Sequence, residues 1–172
     1  MLDADLELAP LSSVPIADIT RVLNEPRNAR HMPLVGEPFT EDAAARWVAA
    51  KESQWQENGY GPWAVRVGGI FAGWGGFQEE EGMPDLALVL DPRFRGWGHD
   101  VARRMLDVGF DELRFTAVVA ALPLSRAQPH VALARWGFTP DGEASIGGTT
   151  FRRFRLTAEA WARHQVSDPS EG

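Results

Sequence analysis

The stretch Asp85-Leu86-Ala87-Leu88-Val89-Leu90-Asp91-Pro92-Arg93-Phe94-Arg95-Gly96-Trp97-Gly98-His99-Asp100 decides how the chain is read. Its first six residues form an apolar run of the kind found in a central strand, and Pro92 ends it. After the glycines, Val101, Ala102, Met105, Val108, Gly109 and Glu112 or Leu113 recur at helical spacing, which predicts a helix over residues 98–113. A buried strand, a two-glycine turn and an amphipathic helix together suit an anion, because a helix start leaves backbone N–H groups unpaired and carries partial positive charge. Gly96 and Gly98 let the main chain approach a diphosphate closely, and Arg93 and Arg95 can add charge-assisted hydrogen bonds. Two rival phosphate loops do not fit. A Walker loop needs lysine and a hydroxyl residue where His99-Asp100 stand, and a dinucleotide fingerprint needs glycine or alanine where Val101 stands. The bland alternative is a turn with a structural role only.

Upstream, Leu6 and Leu8, then Leu11 after Pro10, predict a first strand within residues 5–11. Ile16, Ile19, Val22 and Leu23 predict a short helix that Pro26 closes, followed by a loop from Arg27 to Phe39. Thr40 reads as an N-cap with Glu41 and Asp42 in the first turn, and the helix it starts carries Ala44, Trp47, Val48 and Lys51 on one stripe before ending near Asn58-Gly59. Two strands, 63–67 and 70–77, flank Gly68-Gly69, a pair suited to a tight hairpin turn. Residues 79–82 read as a loop. Downstream, a strand is expected from Phe115 to Leu122, a short helix from Pro129 to Trp136 capped by Gly137, a loop from Gly142 to Gly148, and a last strand from Thr150 to Leu156.

With 172 residues and no repeat or break in composition, the chain fits one mixed α/β domain. It contains no cysteine, which removes disulfides, thiolate ligands and a cysteine nucleophile. The acidic start and the lack of a long apolar run make a cytoplasmic location the expectation, with no membrane partner. A net charge of -7 argues against nucleic acid and for cationic partners. Against that background Arg93, Arg95, Arg103, Arg104 and Arg126 form a basic island suited to a small anion, or a solvated arginine face.

Arg93-Phe94-Arg95-Gly96-Trp97-Gly98 resembles the Arg/Gln-x-x-Gly-x-Gly/Ala acetyl-CoA signature of the GNAT superfamily, and the element order around it is similar. Leu8-Ala9-Pro10-Leu11, Leu90-Asp91-Pro92 and Arg135-Trp136-Gly137-Phe138 look more loosely like the branch containing ribosomal-protein N-terminal acetyltransferases. The resemblance implies an α/β (α+β) GNAT-like domain over residues 5–160, with a central mixed, mostly antiparallel twisted sheet flanked by helices and strands splayed at the acetyl-CoA site. Residues 161–172 would be a polar, frayed tail. It also implies that the backbone of Leu88, Val89 and Leu90 pairs with the pantetheine arm, and that the amides from Arg95 through Gly96, Trp97, Gly98, His99 and Asp100 to Val101 hold the diphosphate. Arg126 falls beside that cofactor site. Trp97 covers the turn or packs on the cofactor, and Asp100 is a capping residue or a functional one.

Transfer of acetyl to an amine needs a neutral amine, and a lysine amine with a pKa of about 10.4 demands a stronger base than an α-amine near 8. Asp85 aligns with an acidic position of the resembling branch and is the candidate base through a water, or else a surface carboxylate. Glu79, Glu80 and Glu81 attract the amine or make a solvated turn. The asparagine and tyrosine that many members carry before Gly-Phe are replaced by Arg126 and Leu133, and the only tyrosine, Tyr60, is poorly placed to substitute. Ser125 and His130 are the remaining candidates for handling the thiolate's proton. His31, His99 and His164 have no partner at metal-ligand spacing, so no metal is expected. The tryptophans fall mostly on core faces, though Trp63 and Trp74 could line an acceptor pocket built from the Thr40 helix, the hairpin and the last strand. The expected activity is acetyl transfer from acetyl-CoA to a primary amine, a protein N-terminus or a small molecule, with a homodimer possible in principle. The alternative is a weak or inactive acyl-CoA-binding module, suggested by Arg126 and Leu133.

Overall fold

A computed structural model describes residues 5–26, 37–124 and 133–167. In chain order these form β1 (Leu6–Ala9), α1 (Ile16–Leu23), α2 (Glu41–Asn58), β2 (Pro62–Val67), β3 (Ile70–Glu80), β4 (Met83–Leu90), α3 (Gly98–Asp107), β5 (Ala117–Pro123), β6 (Thr139–Ile146), β7 (Thr149–Thr157) and α4 (Ala158–Ser167). The strands make one seven-stranded sheet in the order β1-β2-β3-β4-β5-β7-β6. Every neighbouring pair is antiparallel except β4 and β5. This is the expected mixed, mostly antiparallel sheet.

Alternation along the strands sorts the core into two layers. Val65 and Val67 of β2, Phe77 of β3 and Leu90 of β4 pack against Val101, Ala102, Met105 and Leu106 of α3 and Trp161 of α4. Ala64, Phe71 and Trp74 face the other way, against Ile19, Val22 and Leu23 of α1 and Ala44 and Val48 of α2. The local signals that set these elements are in place. Thr40 Oγ1 accepts from the Ala43 N–H at 3.1 Å, and Gly59 closes α2 in the left-handed region with φ of 80°. Asn24 bonds both backbone groups of Phe39, at 2.7 and 2.8 Å, and so brings the end of α1 to the start of α2. Gly68 and Gly69 turn the β2–β3 hairpin with φ of 58° and 81°.

Four expectations are corrected. The predicted 79–82 loop is a two-residue turn, Glu81-Gly82, because Glu81 takes a positive φ of 51° that its residue type does not advertise. The segment 142–148 is mostly strand: Pro140 and Gly142 interrupt the alternation, and β6 tolerates them as an edge strand with an irregularity between Pro140 and Glu143. The helix from Gly98 is α-helical only to Asp107 and continues as a wider turn over Val108–Glu112, where Gly109 lets Phe77 and Phe115 approach. The tail is not frayed from residue 161. Trp161 is 3% exposed, and its indole N–H and Gln165 both donate to Asp107, docking α4 on α3. Of the short helix predicted over 129–136, residues 133–135 are helical, Gly137 follows with φ of 99°, and the rest lies outside the described residues.

β3 is held unusually close to β4. A Cβ at Gly73, whose φ is 150°, would lie 2.2 Å from the Val89 carbonyl oxygen, and one at Gly75 would lie 2.5 Å from that of Ala87. Backbone cannot yield cheaply to such contacts. Gly73→Ala is therefore expected to destabilise the protein by about 2 kcal/mol or more, read as a lowered denaturation midpoint, whereas alanine at Gly142 of the edge strand β6, where a Cβ meets nothing within 4 Å, should cost less.

Candidate active site

β4 and β5 run parallel and share one register pair, Asp85 opposite Val119. Beyond it no pair joins Leu86–Leu90 to Ala120–Pro123, so the two strands diverge toward their C-terminal ends. An unpaired strand edge is a ready partner for an extended ligand rich in amides. On its other side β4 stays fully paired with β3, from Met83 to Leu90. The wedge therefore opens on one side only.

Asp91 fixes the turn beyond the wedge. Its backbone N–H donates to the Ala72 carbonyl at 2.8 Å, and its carboxylate caps the 3-10 turn Pro92–Trp97 by accepting from the Arg93 N–H at 3.0 Å. Arg21 of α1 reaches the same carboxylate at 2.7 Å, and the Arg93 guanidinium at 3.2 Å. Burial by itself would raise this carboxyl, but hydrogen bonds from Arg93 and Arg21 win and hold it at about 2. The turn then runs directly into α3 at Gly98, and Trp97 at the N-cap supplies no side-chain capping bond. A Cβ on Gly96 would meet nothing within 4 Å, and one on Gly98 only a Leu90 methyl at 3.9 Å. Neither glycine is in the positive-φ region. The fold does not itself require glycine at either place, whereas close approach of a diphosphate to the backbone would.

At the apex of the wedge, Asp85 carries a carboxyl oxygen, Oδ1, that is buried without a hydrogen-bond partner. Burial pushes this carboxyl up to about 7, nearby Glu80 adds to the rise, and a hydrogen bond from the Ala121 N–H and the charge of Arg153 oppose it. A carboxylate held near neutrality is suited to taking a proton. Gln78, the β3 partner of Asp85, accepts from the Lys51 ammonium, which lies 5.7 and 5.2 Å from the ring centroids of Trp47 and Trp74. Arg153, on β7, pairs with Glu81 at 2.8 Å and approaches Asp141 at 3.3 Å.

The residues singled out in the sequence take different places in the fold. Leu88, Val89 and Leu90 line the diverging part of β4, and Gly96, Trp97, Gly98, His99, Asp100 and Val101 form the turn and first helical turn at its mouth. Arg93 is engaged with Asp91, Arg95 is exposed, and Trp97 packs against the core and so covers the turn. The His99 ring lies 4.8 Å from that of Trp136. Ser125, Arg126, His130 and His31 lie outside the described residues. The three glutamates do not act as a set: Glu79 accepts from the Gly82 N–H, Glu81 holds Arg153, and Glu80 bears on Asp85. Leu133 packs against the core, and the Tyr60 ring sits 5.0 Å from Phe115. Lys51, Gln78 and Arg153 join the site only in three dimensions, and the one sign of them in the sequence is a lysine on the apolar stripe of α2.

Similarity to known proteins decides the family. A family model for the acetyltransferase (GNAT) domain matches residues 5–139. The chain belongs to the GNAT acetyltransferase family. Solved GNAT structures share its fold at low identity. An acetyltransferase from Agrobacterium tumefaciens superposes with a TM-score of 0.70 at 18% identity, covering 88% of this chain and 90% of that one. A GCN5-related N-acetyltransferase from Brucella melitensis gives 0.73 at 14%, covering 98% and 85%. A spermidine N-acetyltransferase chimera that includes Vibrio cholerae sequence gives 0.71 at 13%, covering 92% and 99%. No curated protein matches the sequence. The protein is thus a GNAT acyltransferase with a single domain of the family fold, and the family generally uses acetyl-CoA.

The clamp at Asp91 has a testable energetic consequence. A carboxyl depressed from 3.8 to about 2 stabilises the fold above its unfolded value, and that contribution is lost as pH falls through about 2. Asp91→Ala should cost about 1–3 kcal/mol at pH 7, and denaturant titrations should show the gap to wild type narrowing below about pH 4.

Proposed function

We propose that the protein is an N-acetyltransferase that moves acetyl from acetyl-CoA to a primary amine by direct attack, without a covalent enzyme intermediate. The observation that carries this reading is the wedge itself: a one-sided strand divergence with a near-neutral carboxyl at its apex and a glycine-lined helix start at its mouth. Acetyl-CoA supplies the acetyl group as a thioester. The backbone of Leu88 to Leu90 would orient the pantetheine arm, and the amides of residues 95–101 would hold the diphosphate, with Arg95 available to add charge. The open space over Gly96 and Gly98 fits that role.

Asp85 accepts a proton from the amine, directly or through one water, so that the nitrogen lone pair is free to attack the thioester carbon. The new C–N bond forms as the C–S bond breaks; the nitrogen gives up its second proton to solvent, Asp85 being already protonated, and the departing thiolate takes up a proton from solvent to give CoA thiol. A thiol of pKa about 8.5 leaves without a strong acid, so the replacement of the family's tyrosine by Leu133 is compatible with turnover. Glu80, beside Asp85, favours the approach of a cationic amine.

Calorimetry should show CoA binding, and release of free thiol should follow addition of amine to the protein with acetyl-CoA. Gly96→Asp places a carboxylate against the diphosphate and is expected to abolish binding; unchanged affinity would remove the proposed site. The pH profile of kcat/KM should rise with an apparent pKa near 7 as Asp85 ionises. Asp85→Asn should lower kcat by roughly a hundredfold or more and remove that limb. Stability carries the opposite sign. A carboxyl raised from 3.8 to about 7 makes the folded state lose stability as pH climbs between those values, so Asp85→Asn should gain stability relative to wild type at pH 8.5 more than at pH 4.

A further inference from the structure

Lys51 is a half-buried cation that forms no ion pair with a carboxylate among the described residues. It lies on the stripe of α2 that faces the sheet, so its stem is drawn over Trp47 and Trp74 rather than into solvent. Its hydrogen bond goes to the neutral carboxamide of Gln78. Among the described residues no carboxylate forms an ion pair with it, and burial lowers the ammonium pKa with no opposing charge to offset the loss of water. The arginines around the site differ. Arg21 and Arg93 share Asp91, and Arg153 has Glu81 and Asp141.

A desolvated charge held this way is costly unless something neutralises it in the working state. Its position says what that would be. Gln78 and Asp85 are directly paired on adjacent strands, so their side chains leave the same face of the sheet about 5 Å apart at the backbone. On that face Asp85 and Glu80 make one end of the surface negative, and Lys51, fixed by Gln78 and the two indoles, makes the other end positive. An ammonium has three donors, of which Gln78 uses one, which leaves donors for a carboxylate.

We infer that Lys51 is the anion-recognising residue of the acceptor site, and that the acceptor is a small amine that also carries a carboxylate close to it, as a free amino acid does. The inference rests on the N-acetyl transfer reading above. The amine end meets Asp85, where its proton is removed, and the carboxylate end meets Lys51, which positions the molecule without taking part in the bond changes. A polyamine would place a second cation against Lys51, and a protein N-terminus has no carboxylate next to its amine. Both are disfavoured by the same charge.

The test compares pairs of ligands that differ only in the carboxylate. In the presence of CoA, N-acetylglycine should bind wild-type protein at least about tenfold more tightly than N-acetylglycinamide, the size expected of a charge-assisted contact. Among acceptors, amino acids should exceed their carboxamides in kcat/KM, with the difference in KM. Near neutral pH the less basic amine of the carboxamide is the more fully deprotonated of the two, which favours the carboxamide in intrinsic reactivity, so reactivity cannot produce that preference. In Lys51→Met, which keeps the stem and removes the charge, both ratios should fall to near one; Lys51→Arg should retain a preference. Equal binding of acid and amide by wild type, or a preference that survives in Lys51→Met, would overturn the role of Lys51. Absence of CoA binding, or of thiol release with every amine, would instead sink the N-acetyl transfer reading, so the two failures are distinguishable.

Discussion

The single backbone pair between Asp85 and Val119 governs the arrangement of everything around the site. Two parallel strands joined at one position and free beyond it cannot close their hydrogen bonds, and the resulting edges must be satisfied by something other than the sheet. Such a wedge would collapse if β4 could shift toward β5. It is prevented from doing so by the close seat of β3, where Gly73 and Gly75 bring backbone against backbone, and by Asp91, which ties the end of β4 to α1 and to the turn after it. The strand is thus anchored on one side and at its end, which leaves the other side open.

Divergence also creates the electrostatics. Asp85 sits where the sheet is still closed enough to exclude water, so its carboxyl is raised, whereas Asp91, a few residues on, meets two arginines and is depressed. The same stretch of chain therefore carries two carboxyls whose environments push them in opposite directions. One is left able to exchange a proton near neutrality, and the other serves as a fixed charge that orders the turn. The net acidity of the chain contributes little to either, since Asp85 is raised chiefly by burial and Asp91 is lowered by hydrogen bonds from Arg93 and Arg21.

The two faces of the sheet divide the work. α3 and α4 build the larger core on one face and present the helix start at the mouth of the wedge. α1 and α2 build the smaller core on the other, and there the indoles of Trp47 and Trp74, the Lys51 ammonium and the Asp85 carboxyl share one surface. Cofactor and acceptor would then approach the apex from different sides, as direct transfer between them requires.

Residue order alone settles the elements whose signals are local: the cap at Thr40, the Gly68-Gly69 hairpin, the apolar run ending at Pro92, and the signature from Arg93 to Gly98 that led to the family. Each depends on residues within a few positions of one another, so spacing and residue type suffice. Where a non-local partner decided the outcome, the pattern misled. β6 is a strand because β7 pairs with it despite Pro140 and Gly142, and residues 161–167 are helical because Trp161 finds a seat on α3 and Asp107. The ion pair between Arg93 and Asp91, two residues apart, is a feature that residue order alone does not announce. The raised carboxyl of Asp85 and the burial of Lys51 with no carboxylate paired to it among the described residues belong wholly to the tertiary structure, since burial and the placement of opposite charges are properties of the surroundings, which one-dimensional order does not record.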